Sequence, residues 1–151
     1  MGAVSELDQK ADAAIASVEE QFGAMYRRIK VSMRRRAERV HPELQVMGYM
    51  ILSTLGTCGP THAGVIAERL EIDKGLLSRQ LQALERLGLV TREADPADKR
   101  AVILAVSAAA DARIAAVRAA ERGVMYEELR DWEIGDLEKL AELLARINDL
   151  G

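Results

Sequence analysis

Lys74, Gly75, Ser78, Arg79 and Gln82 recur at intervals of one, three and four residues, and Glu85 and Arg86 extend the series. At about 100° per residue these positions share one arc of a helix. Leu76, Leu77, Leu81, Leu84 and Leu87 share the other arc. The chemistry open to the polar arc is recognition. Lysine and arginine meet phosphates or guanine edges, serine and glutamine read or position, and small residues permit close approach. The start of such a helix adds a field favourable to phosphate. The ordinary alternative is a solvated helix face, and position decides against it. The arc follows the short turn Glu71-Ile72-Asp73 and precedes two β-type stretches.

Those stretches, Leu89–Ala94 and Ala101–Val106, are joined by the polar turn Asp95-Pro-Ala-Asp-Lys-Arg100. Lys99 and Arg100 stand at its tip, where a long cation can enter a minor groove. Asp98 is near enough to orient Arg100 through a charge-assisted hydrogen bond. Thr61 opens the segment and completes the set of residues expected to meet nucleic acid.

Each of these side chains needs an element to hold it. A long helix is expected over residues 7–40, with Phe22, Met25, Tyr26, Ile29, Met33, Ala37 and Val40 on one stripe. A second runs from about Pro42 to Leu55, and Gly56 to Pro60 supplies a turn. Thr61 is the expected N-cap of a third helix ending at Leu70. Asp73 caps a fourth that runs to Leu87, with Gly88 as its stop. After the hairpin come helices over about 107–130 and 133–149. The fold class is mainly α with a small β-hairpin: a winged helix-turn-helix over 61–106, flanked by helical segments over 1–60 and 107–151.

Composition agrees. The 151 residues are 49% apolar but only 3% aromatic, which favours tightly packed helices over a sandwich. The net charge is −3, yet residues 27–39 hold seven basic residues against one acid, and residues 1–26 and 108–151 each carry −4. Net charge governs solubility and steering, and leaves open the local footprint of a binding surface. No apolar run is long enough for a membrane helix, and the start MGAVSELDQK lacks the pattern of a secretory signal, so a cytoplasmic protein is expected. His41, His62 and the single Cys58 show no metal-ligand spacing. No metal or cofactor is expected. Without a nucleophile elbow or a phosphate-binding glycine loop, an enzyme is not expected either.

The stretch from Ile66-Ala67 to Val90, ending Leu84-Glu-Arg-Leu-Gly-Leu-Val90, resembles the helix-turn-helix of the MarR family. Asp95-Pro-Ala-Asp98-Lys-Arg100, followed by Ala-Val-Ile-Leu-Ala-Val-Ser107, is similar to that family's wing. Val106-Ser107 stands where the family has Leu-Thr, and Ala110 where a glycine often follows. The resemblance implies a transcriptional regulator that binds double-stranded DNA as a homodimer, acting as a repressor on a pseudo-palindromic operator. It also implies release by a small aromatic or anionic effector. The rival function is a winged-helix architectural or protein-interaction module without effector control.

Arg36 falls on the apolar stripe of the first helix, where an arginine needs an anion, a carboxylate or an escape to water. One reading makes it an effector anchor; the other makes it a snorkelling or intersubunit salt-bridged residue. Cys58, placed in a turn without an adjacent cation, reads as an inert thiol.

Overall fold

A computed structural model describes residues 6–149. The order is α1 (Glu6–Val40), α2 (Val46–Cys58), β1 (Thr61–His62), α3 (Ala63–Leu70), α4 (Lys74–Arg86), β2 (Val90–Ala94), β3 (Val102–Val106), α5 (Ala108–Leu129) and α6 (Ile134–Asn148). The three strands form one antiparallel sheet in the order β1-β3-β2. This is the mainly helical winged arrangement expected, with one strand more. Among the described residues, no helix is long and apolar enough to cross a membrane.

At 35 residues α1 is about 50 Å long, and only its last turns seat on the body of the protein. Ala37 and Val40 are buried and Met33 packs against them, whereas Ile15, Val18, Met25, Tyr26 and Ile29 on the same helix are exposed. Beyond Val40 the chain turns. The amide of Leu44 donates to His41 O at 3.0 Å, and that of Glu43 donates to His41 Nδ1 at 3.1 Å. These bonds occupy the segment in which the second helix was expected to begin, so α2 starts only at Val46. Leu44 is nonetheless buried, inserted from the turn.

The far end of α2 also differs from expectation. Gly56, Thr57 and Cys58 stay helical, and the hydroxyls of Thr54 and Thr57 bond back to the carbonyls of Met50 and Ser53 within that helix. The helix closes at Gly59, whose amide donates to Leu55 O at 2.8 Å with φ of 74°. Cys58 is therefore a half-buried free thiol on the last turn of a helix, rather than in a loop.

Thr61 is not a helix cap. It pairs with Leu104 and His62 pairs with Ile103, forming a two-residue edge strand, and His62 occupies the N-cap position of α3 without a side-chain capping bond. Ser107 does cap α5, accepting from the amide of Ala110 at 3.3 Å, so Val106-Ser107 both ends β3 and starts the helix.

One continuous core joins these elements. Ile51, Leu52 and Leu55 of α2, Ile66 of α3, Leu77 and Leu84 of α4, Leu104 of β3 and Ile114 of α5 are all essentially inaccessible. The winged lobe thus draws its interior from α1, α2 and α5 as well as from residues 61–106. Gly48 lets α2 approach α4 closely, since a Cβ there would lie 3.2 Å from a methyl of Leu84 and 2.7 Å from one of Leu44. Past Val117 the burial ends. The 15 residues of α6 include none that is buried.

Candidate nucleic-acid interface

The link between α3 and α4 is a Schellman turn built on a residue that resists it. Glu71 adopts left-handed angles, with φ of 52°. Its amide donates to Glu68 O, and that of Ile72 donates to Ala67 O. Glycine normally takes this position, because a Cβ crowds the following carbonyl. Ile72 packs on the core after the turn and fixes the angle at which α4 leaves.

Asp73 then caps α4 as expected, its Oδ1 accepting from the Leu76 amide at 2.8 Å. A carboxylate on the first turn already meets part of the helix-start field that phosphate was expected to use. Gly75 also serves this cap: a Cβ there would stand 3.1 Å from Asp73 Oδ1. At the other end Gly88, with φ of 69°, closes α4 through bonds from Gly88 N to Glu85 O and from Leu89 N to Leu84 O. Both caps are short-range features, and they set the length of α4 at 13 residues.

Between the caps the two arcs separate. Leu77, Leu81 and Leu84 are buried, while Lys74, Gly75, Ser78, Arg79, Gln82 and Arg86 are exposed. None of the side chains of Lys74, Ser78, Arg79 and Gln82 bonds to another described residue, so their donors and acceptors face outward unspent. Glu85 departs from the outward arc. It is half-buried and pairs with Arg92 of β2, which ties α4 to the hairpin.

The hairpin runs in regular register from Val90↔Val106 to Ala94↔Val102. Its loop is shaped by two aspartates. Asp95 Oδ1 accepts from the Ala97 amide at 2.8 Å, and Asp98 Oδ1 accepts from the Arg100 amide at 3.0 Å. Asp98 therefore holds the backbone of Arg100, and the expected bond to its guanidinium is not formed. Asp98, Lys99 and Arg100 are all exposed at the tip.

The structure thus places Lys74, Gly75, Ser78, Arg79 and Gln82 on one helix face and Asp98, Lys99 and Arg100 on one loop. Thr61 joins neither group: it is half-buried in β1 across from Leu104. Two residues that tie the elements together escaped the sequence reading, Arg92 and His62. His62 Nε2 lies 3.0 Å from Asp95 Oδ2, and His62 itself follows a turn-rich stretch with no metal or catalytic spacing to draw attention.

Arg36 also finds its partner. Its guanidinium meets the carboxylate of Glu121 on α5, which accepts from Ser32 Oγ at 3.4 Å as well. The counter-charge belongs to the same chain. Two more arginines of α5 grip the lobe beneath it: Arg113 donates to Val40 O at 3.2 Å, and Arg118 donates to Ser53 O at 2.6 Å and to Ser53 Oγ at 2.8 Å. Among the described residues, no group of His, Cys, Asp and Glu could hold a metal ion.

Comparison with known proteins agrees with this geometry. Residues 44–101 match the model of the MarR family. The uncharacterized HTH-type transcriptional regulator YxaD of Bacillus subtilis is 32% identical over 106 residues, spanning 70% of this chain and 73% of that protein. Among solved structures, a MarR family transcription regulator superposes with a TM-score of 0.82 at 20% identity, over 97% of this chain and 95% of its own. FabT of Streptococcus pneumoniae, solved in complex with DNA, gives 0.78 at 13% identity, over 91% and 99%. The two superpositions establish the fold, and the Bacillus relative carries the kinship in sequence. The chain belongs to the MarR family of winged helix-turn-helix, DNA-binding transcription regulators.

Proposed function

We propose that the protein is a homodimeric repressor that reads a pseudo-palindromic stretch of double-stranded DNA. The observation that carries this reading is the exposed, unpartnered face of α4, with Lys74, Ser78, Arg79 and Gln82, beside a hairpin tip bearing Lys99 and Arg100. In this reading α4 enters the major groove, where Arg79, Ser78 and Gln82 address base edges and Lys74 a phosphate. Gly75 leaves room for close approach. Lys99 and Arg100 reach the adjacent minor groove, and Asp98 holds the backbone that presents them. Thr61, half-buried in β1, is a further contact in this reading. FabT, a structural neighbour solved on DNA, supports the assignment of DNA as the partner.

The dimer reading rests on surface that nothing in the protomer covers. Leu140, Leu144 and Ile147 of α6 and Ile15, Val18 and Met25 of α1 are apolar and exposed, which favours a second copy as their cover. In this reading residues 1–60 and 107–151 frame the dimer, and residues 61–106 bind DNA. An anionic or aromatic effector acts at the joint of α1 and α5. There an anion reaching Arg36 takes the place of Glu121 as its counter-charge.

The experiment is selection of duplexes from a random pool by the protein, followed by titration of the selected duplex and a scrambled control. The expected result is two chains per duplex and a preference of about 10³-fold or more over the control. Binding that ignores sequence would favour the architectural alternative.

A further inference from the structure

β3 is the middle strand, so residues paired across it share a face of the sheet. Leu104 is buried, and its neighbours Thr61 and Arg92 lie on the core side. Ile103 is flanked on the opposite face by His62 from β1 and Glu93 from β2. Asp95, two residues beyond Glu93, returns to that same face just where the wing loop begins. There its side chain is only 14% exposed and its Oδ2 meets His62 Nε2 at 3.0 Å.

Asp95 is the residue on which the loop is built. Its amide donates to Ala101 O at 3.1 Å, closing the hairpin, and its Oδ1 accepts from the Ala97 amide, turning the chain toward Lys99 and Arg100. Only Oδ2 reaches outside the hairpin, and it reaches His62. His62 in turn immediately precedes Ala63, the first residue of α3. A single contact therefore runs from the entry of the helix-turn-helix to the root of the loop. The other side-chain tie between hairpin and recognition unit, Arg92 to Glu85, acts from the middle of β2 and leaves the loop end free.

We propose that His62 is a positioning residue for the wing: through Asp95 it fixes where Lys99 and Arg100 stand relative to α4. The proposal rests on the reading of Lys99 and Arg100 as DNA contacts. His62 need not touch DNA. Its effect is to hold two cations in place before binding, so that less freedom is lost when they meet phosphate or groove. Without it, β1 still pairs with β3, and the loop keeps its internal bonds but not its orientation.

The test uses the full chain and the duplex selected by the wild-type protein, with affinity measured across a salt series. His62→Ala is expected to weaken binding about tenfold and to lower the salt slope by about one contact. His62→Gln, which keeps a donor near the place of Nε2, is expected to restore most of the loss. On a Lys99→Ala/Arg100→Ala background, His62→Ala is expected to cost less than about twofold more. Wild-type affinity in His62→Ala would overturn the proposal. So would a loss that multiplies in full with the wing substitutions, or a glutamine variant that behaves like alanine. Should His62→Ala lower the melting temperature markedly, Asp95→Asn removes the Oδ2 acceptor and must give the same non-additive pattern for the proposal to stand. Failure of the wild-type protein to retain any duplex is a different result: it defeats the DNA reading itself, and this proposal with it.

Discussion

Arg36 of α1 and Glu121 of α5 form an ion pair across the seam between the first and fifth helices, each about one-third or less exposed. The apolar stripe of α1 thus contains a charge because α5 supplies its complement. A half-buried pair lies between the exposed kind, which contributes little, and the buried kind, whose disruption is costly. Glu121→Ala is expected to destabilise the protein by about 1–2 kcal/mol, by leaving the guanidinium without its partner. Arg36→Met combined with Glu121→Met should recover most of that loss, since it removes both charges and keeps the packing. Urea unfolding of the wild type and the two variants at one protein concentration measures this. Equal losses for the single and the double variant would show that the pair contributes through shape alone.

The strained turn gives a prediction of opposite sign. Glu71 holds left-handed angles that cost a non-glycine residue about 1–2 kcal/mol, whereas glycine adopts them freely at an entropic cost of about 0.5–1 kcal/mol. Glu71→Gly is therefore expected to raise stability by about 0.5–1 kcal/mol. Thermal unfolding checks it.

At the start of α4, Asp73→Ala removes the bond to the Leu76 amide and is expected to cost about 1 kcal/mol of stability. Gly75→Ala tests the same cap from the other side, since its methyl would press on Asp73 Oδ1. Alanine in a helix gains about 0.5–1 kcal/mol over glycine, so Gly75→Ala is expected to show less than that gain, and the full gain in thermal unfolding would mean that the carboxylate shifts aside freely.

The two arms of the DNA surface should separate by kind of effect. Arg79→Ala is expected to relax base preference at one position of each half-site, worth about 1–3 kcal/mol there. Arg100→Ala should weaken all duplexes alike and lower the salt slope by about one. Selection with each variant, followed by salt titration, distinguishes them. Equal and small effects from both would place the DNA surface elsewhere.

Charge placed on α6 should act on assembly. Leu140 and Leu144 are 38% and 39% exposed in the protomer, and a double change to glutamate is expected to shift the protein from dimer toward monomer in sedimentation. The winged lobe should keep its own unfolding transition. A stable dimer with both glutamates in place would mean that another face joins the copies.

Local chemistry made much of this molecule legible from sequence. Asp73 and Gly88 bound α4 through bonds within a few residues of themselves, and the leucine arc marks its buried side without reference to anything distant. The hairpin followed from its polar turn in the same way. What failed depends on partners far along the chain. Thr61 ahead of an alanine-rich helix has the chemistry of an N-cap, and only Leu104, on another strand, makes it part of a sheet. Asp98 lies close enough to Arg100 for an ion pair, but a two-residue Asx-turn to the backbone is the shorter route. The partner of Arg36 is set by how α1 and α5 cross, which no spacing within α1 encodes.

The absence of any buried residue in α6 has a consequence for the protein in dilute conditions. A 15-residue helix in water is marginal unless tertiary packing supports it, and this one fully buries none of its residues against the described part of its own protomer. In the dimer proposed above, its order then depends on how many copies are present. In that reading a chain without a mate displays Ile134, Leu143 and Ile147 on a weakly supported helix, open to proteolysis. Protection of α6 from protease then rises with protein concentration, as assembly supplies the packing that the single protomer lacks.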